Sequence, residues 1–411
     1  MREPEIHTLK NGIRIAHCRV SSSKIVHCGI MLDIGSRDES AAIQGIAHFW
    51  EHMAFKGTPT RNAFHILNRL ESVGGELNAF TDKEKIMFYA SVRTEHFMRA
   101  ADLLTDIAFH ASFPENHIHR ERKVILEEMS MYYDDPDGAL QDEFDALIFG
   151  GHSMGMNILG TEKSISRFHH KHFVSFVKKN LDTRRVIFSV VGDLTSDQVM
   201  RMANQLLVPI PKKHVARNRE KIKGCKPRQL SIRRPVKQAR CAIGGPAYSI
   251  KDDRRVLLYF LNNILGGPGM NSRLNMSLRE KHGYVYSVGS QYVPFSDTGL
   301  FVVSFGTDPS QMKKAMTLVH TEMEKLYVQP MSSRQLTVSR EQFLGQLAMA
   351  EENHIGFMMM MARNILDTGE VTSFDLLTER IREVGAVELQ KIASEIFNPR
   401  HLSSLILEPE N

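Results

Sequence analysis

Four cysteines in 411 residues are too few, and too scattered, to staple this chain. Cys18, Cys28, Cys225 and Cys241 form no C-x-x-C pair, so a disulfide framework is excluded and a reducing compartment fits. Long apolar runs are missing as well. The longest, around Ile355 to Ala362, is far too short for a bilayer, which takes about 20 residues. The opening Met1-Arg2-Glu3-Pro4-Glu5-Ile6-His7 is charged from the start. It lacks both the apolar core of a secretory signal and the Arg/Ser-rich, acid-poor character of a transit peptide. A soluble cytoplasmic protein is expected, or one of an organelle matrix if a targeting segment has been removed. No membrane partner is expected.

Two further absences narrow the function. No Lys-Ser/Thr follows Gly266-Gly267-Pro268-Gly269, so this run reads as a helix stop and not as a phosphate loop. The net charge of +5 gathers at Lys212, Lys213, Arg217, Arg219, Lys221, Lys223, Lys226 and Arg228. No aromatic residue interleaves with that run, so it predicts a solvated linker and no nucleic-acid partner.

What is present is enough apolar residue, 42%, for two cores. Strand-like runs cover 13–20 and 25–32 around a serine turn, and Leu77–Phe80 pairs with 85–92, where Ile86, Phe88, Ala90 and Val92 alternate with Met87, Tyr89 and Ser91. Helical periodicity covers 63–73, 95–109 and 114–131, and residues 185–192 read as a short buried strand. Pro209-Ile210-Pro211 and the basic run then interrupt the chain, and the pattern restarts. A shift of 213 places Cys241 on Cys28, Ile243 on Ile30 and Ser249 on Ser36. The reading is α+β: two similar domains, 1–208 and 228–411, joined by a basic linker at 209–227, each a mostly antiparallel sheet packed with helices. Met358–Met361 reads as adaptable core.

The stretch with chemistry in it is His48-Phe49-Trp50-Glu51-His52-Met53. On a helix His48 and His52 stack on one face with Glu51 beside them. Two imidazoles at that spacing close on one metal ion, usually zinc, and leave Glu51 free to act as a base. The flanking Ile46, Ala47, Phe49, Trp50 and Met53 would sink the polar trio into a buried helix. Burial without partners costs several kcal/mol, and a metal accounts for it. In the second half, Leu261, Ile264 and Leu265 fall where His48, Glu51 and His52 stand, so the repeat has apolar core in place of the metal groups.

A third ligand is needed. Glu121 and Glu128, seven apart, share a helix face, whereas Glu127 points elsewhere and pairs with Lys123. Face geometry makes Glu128 the candidate ligand and Glu121 the carboxylate that orients a ligand or the water. Ordinary surface charge is the competing reading of all three.

His48-x-x-Glu51-His52, with Glu128 following inside Glu121-Arg122-Lys123-Val124-Ile125-Leu126-Glu127-Glu128-Met129, resembles the pitrilysin/insulinase family of zinc peptidases, the inverzincins. Its short, two-domain group includes mitochondrial processing peptidase and bacterial relatives. Gly74-Gly75-Glu76-Leu77-Asn78-Ala79-Phe80-Thr81 and Leu278-Arg279-Glu280-Lys281-His282-Gly283-Tyr284-Val285-Tyr286-Ser287 match as well. The resemblance implies one zinc per chain on His48, His52 and Glu128, Glu51 as general base, and Glu121 as the supporting carboxylate. It implies that Asn78 and Ala79 lie on the edge strand that takes substrate backbone. Arg279 and Tyr286, with Tyr284 the fallback, match the pair offered to the substrate carbonyl. The expected activity is a zinc endopeptidase acting on short or unfolded peptides in an enclosed chamber, as a homodimer. Competing readings are a catalytically inactive structural or partner subunit of the same fold, and a hydrolase of something other than peptides.

Overall fold

The computed structural model describes residues 4–222, 224 and 226–410. Cys225, Lys223 and the first three residues of the charged N-terminus lie outside it. The chain divides into two compact units. The first takes the chain through Ser130, Met156–Arg219 and Met349–Val371; the second takes Met131–Gly155, Glu220–Ala348 and the chain from Thr372.

The first unit's strands are β1 (Glu5–Thr8), β2 (Arg14–Arg19), β3 (Ile25–Leu32), β4 (Glu76–Thr81), β5 (Ile86–Arg93) and β6 (Val186–Gly192). They form one sheet in the order β1-β2-β6-β3-β5-β4, antiparallel except for the β2–β6 pair. Strand β1 was not foreseen from the sequence; its four residues are mostly exposed and carry little apolar alternation. The second unit's strands are β7 (Gln229–Arg234), β8 (Ala239–Ala247), β9 (Val285–Pro294), β10 (Gly299–Thr307) and β11 (Ser403–Pro409). Their order is β7-β11-β8-β10-β9, again with a single parallel pair, β7–β11. Strand for strand this repeats the first sheet without β1, so the duplication read from a thin sequence match is present in the topology.

The helices that bear on the site are α1 (Ile46–Ala54), α2 (Phe97–Phe109), α3 (Glu115–Asp134), α4 (Pro136–Phe149), α5 (Arg255–Gly266) and α6 (His354–Asp367). Helix α1 follows β3 and packs beside β4; α5 follows β8 and packs beside β9. Leu261, Ile264 and Leu265 of α5 are buried in an apolar cluster with Leu274 and Phe301, as the comparison of the two halves predicts. Two helices are traded between the halves of the sequence. Helix α4 packs on β8 and β11, and α6 packs on β3 and β6. Met358 and Met361 of α6 are fully buried against Ala16, Met31, Met87 and Val191. Burying one such side chain contributes roughly 1.5–3 kcal/mol, so α6 is part of the first unit's core. Of the methionine run, Met358 and Met361 are core as its composition suggests, whereas Met359 is partly buried and Met360 is exposed.

The basic run is mostly exposed, as expected, but two of its arginines are held in ion pairs. Arg219, its side chain 7% exposed, meets Asp38 at 2.7 Å and Glu84 at 3.1 Å, and the more exposed Arg217 pairs with Asp33. Lys85, 1% exposed, lies 2.9 Å from Asp33 and 2.6 Å from Asp367. Charges this deep are tolerated because each has an opposite partner. Among the described residues no helix is long and apolar enough to cross a membrane.

Candidate metal centre

Helix α1 is held from its first residue. Gly45 stands before it at φ +90°, the left-handed region that suits glycine. A Cβ there would come 2.6 Å from the Leu159 carbonyl oxygen. The Glu39 carboxylate, buried, accepts from the backbone N–H groups of Gly45 and Ala47, each at 2.7 Å, and so satisfies donors that a helix start leaves open. Ile46, Ala47, Phe49, Trp50, Met53 and Ala54 are buried in the core. That fixes the rotation of α1 and aims His48, Glu51 and His52 together.

Helix α3 brings the carboxylates. His48 Nε2 lies 3.8 Å from Glu128 Oε1, and His52 Nε2 lies 3.4 Å from Glu128 Oε2. The imidazoles meet edge to face, ring centroids 4.6 Å apart. One donor atom from each of the three residues falls within 4.8 Å of the others. A tetrahedral zinc with bonds of ~2.0–2.1 Å has donor–donor edges of roughly 3.3–3.4 Å, so small adjustments close the set on one ion. His52 Nδ1 is 3.0 Å from Glu121 Oε1; with its proton there, Nε2 presents a lone pair to the cation. His48 is 8% exposed, and its Nδ1 has no hydrogen-bond partner among the described residues. Two imidazoles, one carboxylate and a buried ring left short of partners suit zinc. Glu121 is tied on its other oxygen to Lys56 Nζ at 2.7 Å.

The electrostatics follow from burial and these pairings. Burial, then the neighbouring His52, holds His48 below the ordinary histidine range, with Glu128 opposing. Burial would lower His52 too, but Glu121 and Glu128 outweigh it and raise it to about 9. Burial alone would raise Glu121, yet His52 and Lys56 bring it below its usual value. Glu128 is lowered chiefly by His52. Burial raises Glu51, opposed by the Thr81 hydroxyl and by His52. A carboxylate of raised basicity is the better proton acceptor near neutral pH.

Asn78 and Ala79 lie on β4, which pairs only with β5 and has its other edge open among the described residues. Arg279 and Tyr286 belong to the second unit. The Arg279 guanidinium sits 5.7 Å from the Tyr286 ring centroid, and both line a cavity of about 560 Å³ beside Gly266–Gly269. Tyr286 is 84% exposed, whereas Tyr284 packs against the second core; the arginine therefore keeps company with Tyr286 and not with the fallback. Gly266 does end α5, as read. Glu127 is exposed, but no ion pair joins it to Lys123 among the described residues.

Three residues escaped the sequence reading: Lys56, Glu39 and Thr81. Lys56 is four residues past His52, which puts both within reach of one partner on α3. Thr81 shares the two-residue period of Leu77 and Ala79 and hence their face of the sheet. Its Oγ1 donates to Glu51 Oε2 at 2.6 Å. Nothing local marks Glu39.

Sequence models of two families cover most of the chain. "Insulinase (Peptidase family M16)" matches residues 14–162, and "Peptidase M16 inactive domain" matches residues 167–343. The chain is 32% identical to an "Uncharacterized zinc protease YmxG" of Bacillus subtilis, over 97% of each. It is 29% identical to an "Uncharacterized zinc protease" of Rickettsia bellii, over 98% of this chain and 97% of that one. In fold it is similar to the crystal structure of a protease from Helicobacter pylori, with TM-score 0.92, 20% identity and 99% of each chain covered.

Proposed function

Because this chain belongs to the insulinase family of peptidases, family M16, we propose that it is a zinc-dependent endopeptidase of short or unfolded peptides. The observation that carries this reading is the convergence of His48, His52 and Glu128 on one point, with Glu51 on the same helix. These three residues would hold the ion. Zinc, when bound, supplies a Lewis acid that polarises a carbonyl and acidifies water.

The chain's own residues do the rest. Glu51 takes the proton of the attacking water and hands it to the amine nitrogen as the peptide C–N bond breaks. The open edge of β4, at Asn78 and Ala79, offers backbone groups to an extended peptide, which adds as a further strand. Arg279 and Tyr286 donate to the carbonyl oxygen as charge develops on it; losing one such donor typically costs ~100-fold or more. Glu121 orients His52, and Lys56 orients Glu121. The working form is a homodimer, of the cytoplasm, which sedimentation and fractionation test.

Digestion of a mixed peptide library with and without a chelator, read by mass spectrometry, tests the activity. The expected result is cleavage by the parent protein, none with chelator, and none by Glu51→Gln, which keeps its zinc. Full turnover by Glu51→Gln removes that residue from the mechanism. A pure protein with no zinc and no cleavage supports the inactive-subunit reading instead.

A further inference from the structure

Among the described residues, Glu51 has one hydrogen-bond partner, and it is Thr81 (Oγ1 to Oε2, 2.6 Å). Thr81 is the last residue of β4, the strand whose free edge is assigned above to substrate backbone. Leu77 and Ala79, on the same face, pack against the core beneath α1, and Thr81 continues that face with a hydroxyl. A glutamate carboxylate on a helix swings through several rotamers unless something fixes it. Threonine, stiff at χ1, is a good fixed point. The bond occupies Oε2 and leaves Oε1 for water.

The fixed point is itself anchored. The four residues after Thr81 turn the chain into β5, and each is tied to a residue outside the turn. Asp82 meets Arg363 of α6 at 2.5 Å, and Lys83 donates to the Met156 carbonyl at 2.7 Å. Glu84 accepts from Arg37 at 2.7 Å, and Lys85 bridges Asp33 and Asp367. So many attachments on one hairpin end leave β4 little freedom to slide or lift beside α1.

We infer that Thr81 is a positioning residue: it ties the general base to the strand that receives the substrate, so that a peptide added to β4 meets Glu51 already aimed. This rests on the peptidase reading above and adds to it a residue that touches neither metal nor substrate. A strand-bound peptide further restrains β4, and Thr81 passes that restraint to the carboxylate.

The test compares Thr81→Val, which keeps the shape and loses the donor, with Thr81→Ser, which keeps the donor. Measured on one cleaved peptide, Thr81→Val should lower kcat by about 10- to 100-fold, the usual effect of misplacing a reacting group, with KM and zinc content close to the parent's. Thr81→Ser should recover most of the rate. Crystal structures of the two variants provide a readout independent of activity: Glu51 stays in place in Thr81→Ser and leaves its position in Thr81→Val. The inference is overturned if Thr81→Val retains the parent kcat, if KM alone changes, or if its Glu51 is unmoved. In a preparation where Glu51→Gln is inactive, any of these leaves the peptidase reading standing. A parent without peptide hydrolysis sinks that reading, and the Glu51 position in the two variants still decides the role of Thr81.

Discussion

His52 turns one ring nitrogen to Glu121, 3.0 Å away, and the other to Glu128, 3.4 Å away. Two carboxylates seven residues apart on α3 thus take the two sides of one imidazole. One aims the ring from behind, and the other shares its front with His48.

Replacing Glu121 with Gln should therefore weaken zinc without removing a ligand. The amide can still accept from Nδ1, but it no longer matches the charge of His52 or of Lys56. A loss of about 10- to 100-fold in metal affinity is expected, the usual cost of disturbing the group behind a ligand. Competition against a chromophoric chelator measures it, and unchanged affinity would show that Glu121 serves stability alone.

The charges around Lys85 make a stability prediction with a definite pH sense. Burial pushes the Asp33 carboxyl up, but Lys85, Arg219 and Arg217 outweigh it and hold it well below the usual carboxylate range. A folded-state value below the unfolded one, ~3.9, means that Asp33 contributes stability above about pH 4 and loses it progressively as pH falls further. Urea midpoints between pH 3 and 7 should drop on the acid side, and less steeply in Asp33→Asn. At neutral pH, Lys85→Met leaves Asp367 without its cation and should cost about 3–5 kcal/mol, as breaking a buried pair usually does.

The traded helix α6 predicts a dependence of the first unit on distant chain. Met361→Ala, at a fully buried position, should cost about 2–5 kcal/mol. A fragment ending at Arg219 lacks α6 and exposes the apolar face that holds Met31, Met87 and Val191. It should be insoluble alone and recovered soluble when the segment 349–371 is co-expressed. A soluble, folded fragment without that segment would contradict the packing described.

Much of this was legible before any coordinates, and the reason is locality. The His48/His52 spacing, the apolar flanks of α1 and the alternation along β5 are all set within a few residues, and they place α1, β3 and β5 correctly. The repeat at 213 survived because Leu261, Ile264 and Leu265 keep the buried face of a helix whose polar groups have gone. What escaped depends on partners far along the chain. Periodicity marks α6 as amphipathic without naming the sheet it covers. Arg217 and Arg219 look like unpaired charge until Asp33, Asp38 and Glu84 are brought to them. Thr81 reads as the polar end of a strand until α1 puts Glu51 against it.

The central claim is that His48, His52 and Glu128 surround one zinc. Zinc-edge X-ray absorption on the purified protein tests it most directly. The account predicts one zinc per chain with nitrogen and oxygen neighbours at ~2.0–2.1 Å, imidazole scattering from two rings, and loss of the metal in His52→Ala. Sulfur neighbours, an all-oxygen shell, or full zinc retention by His52→Ala would contradict it.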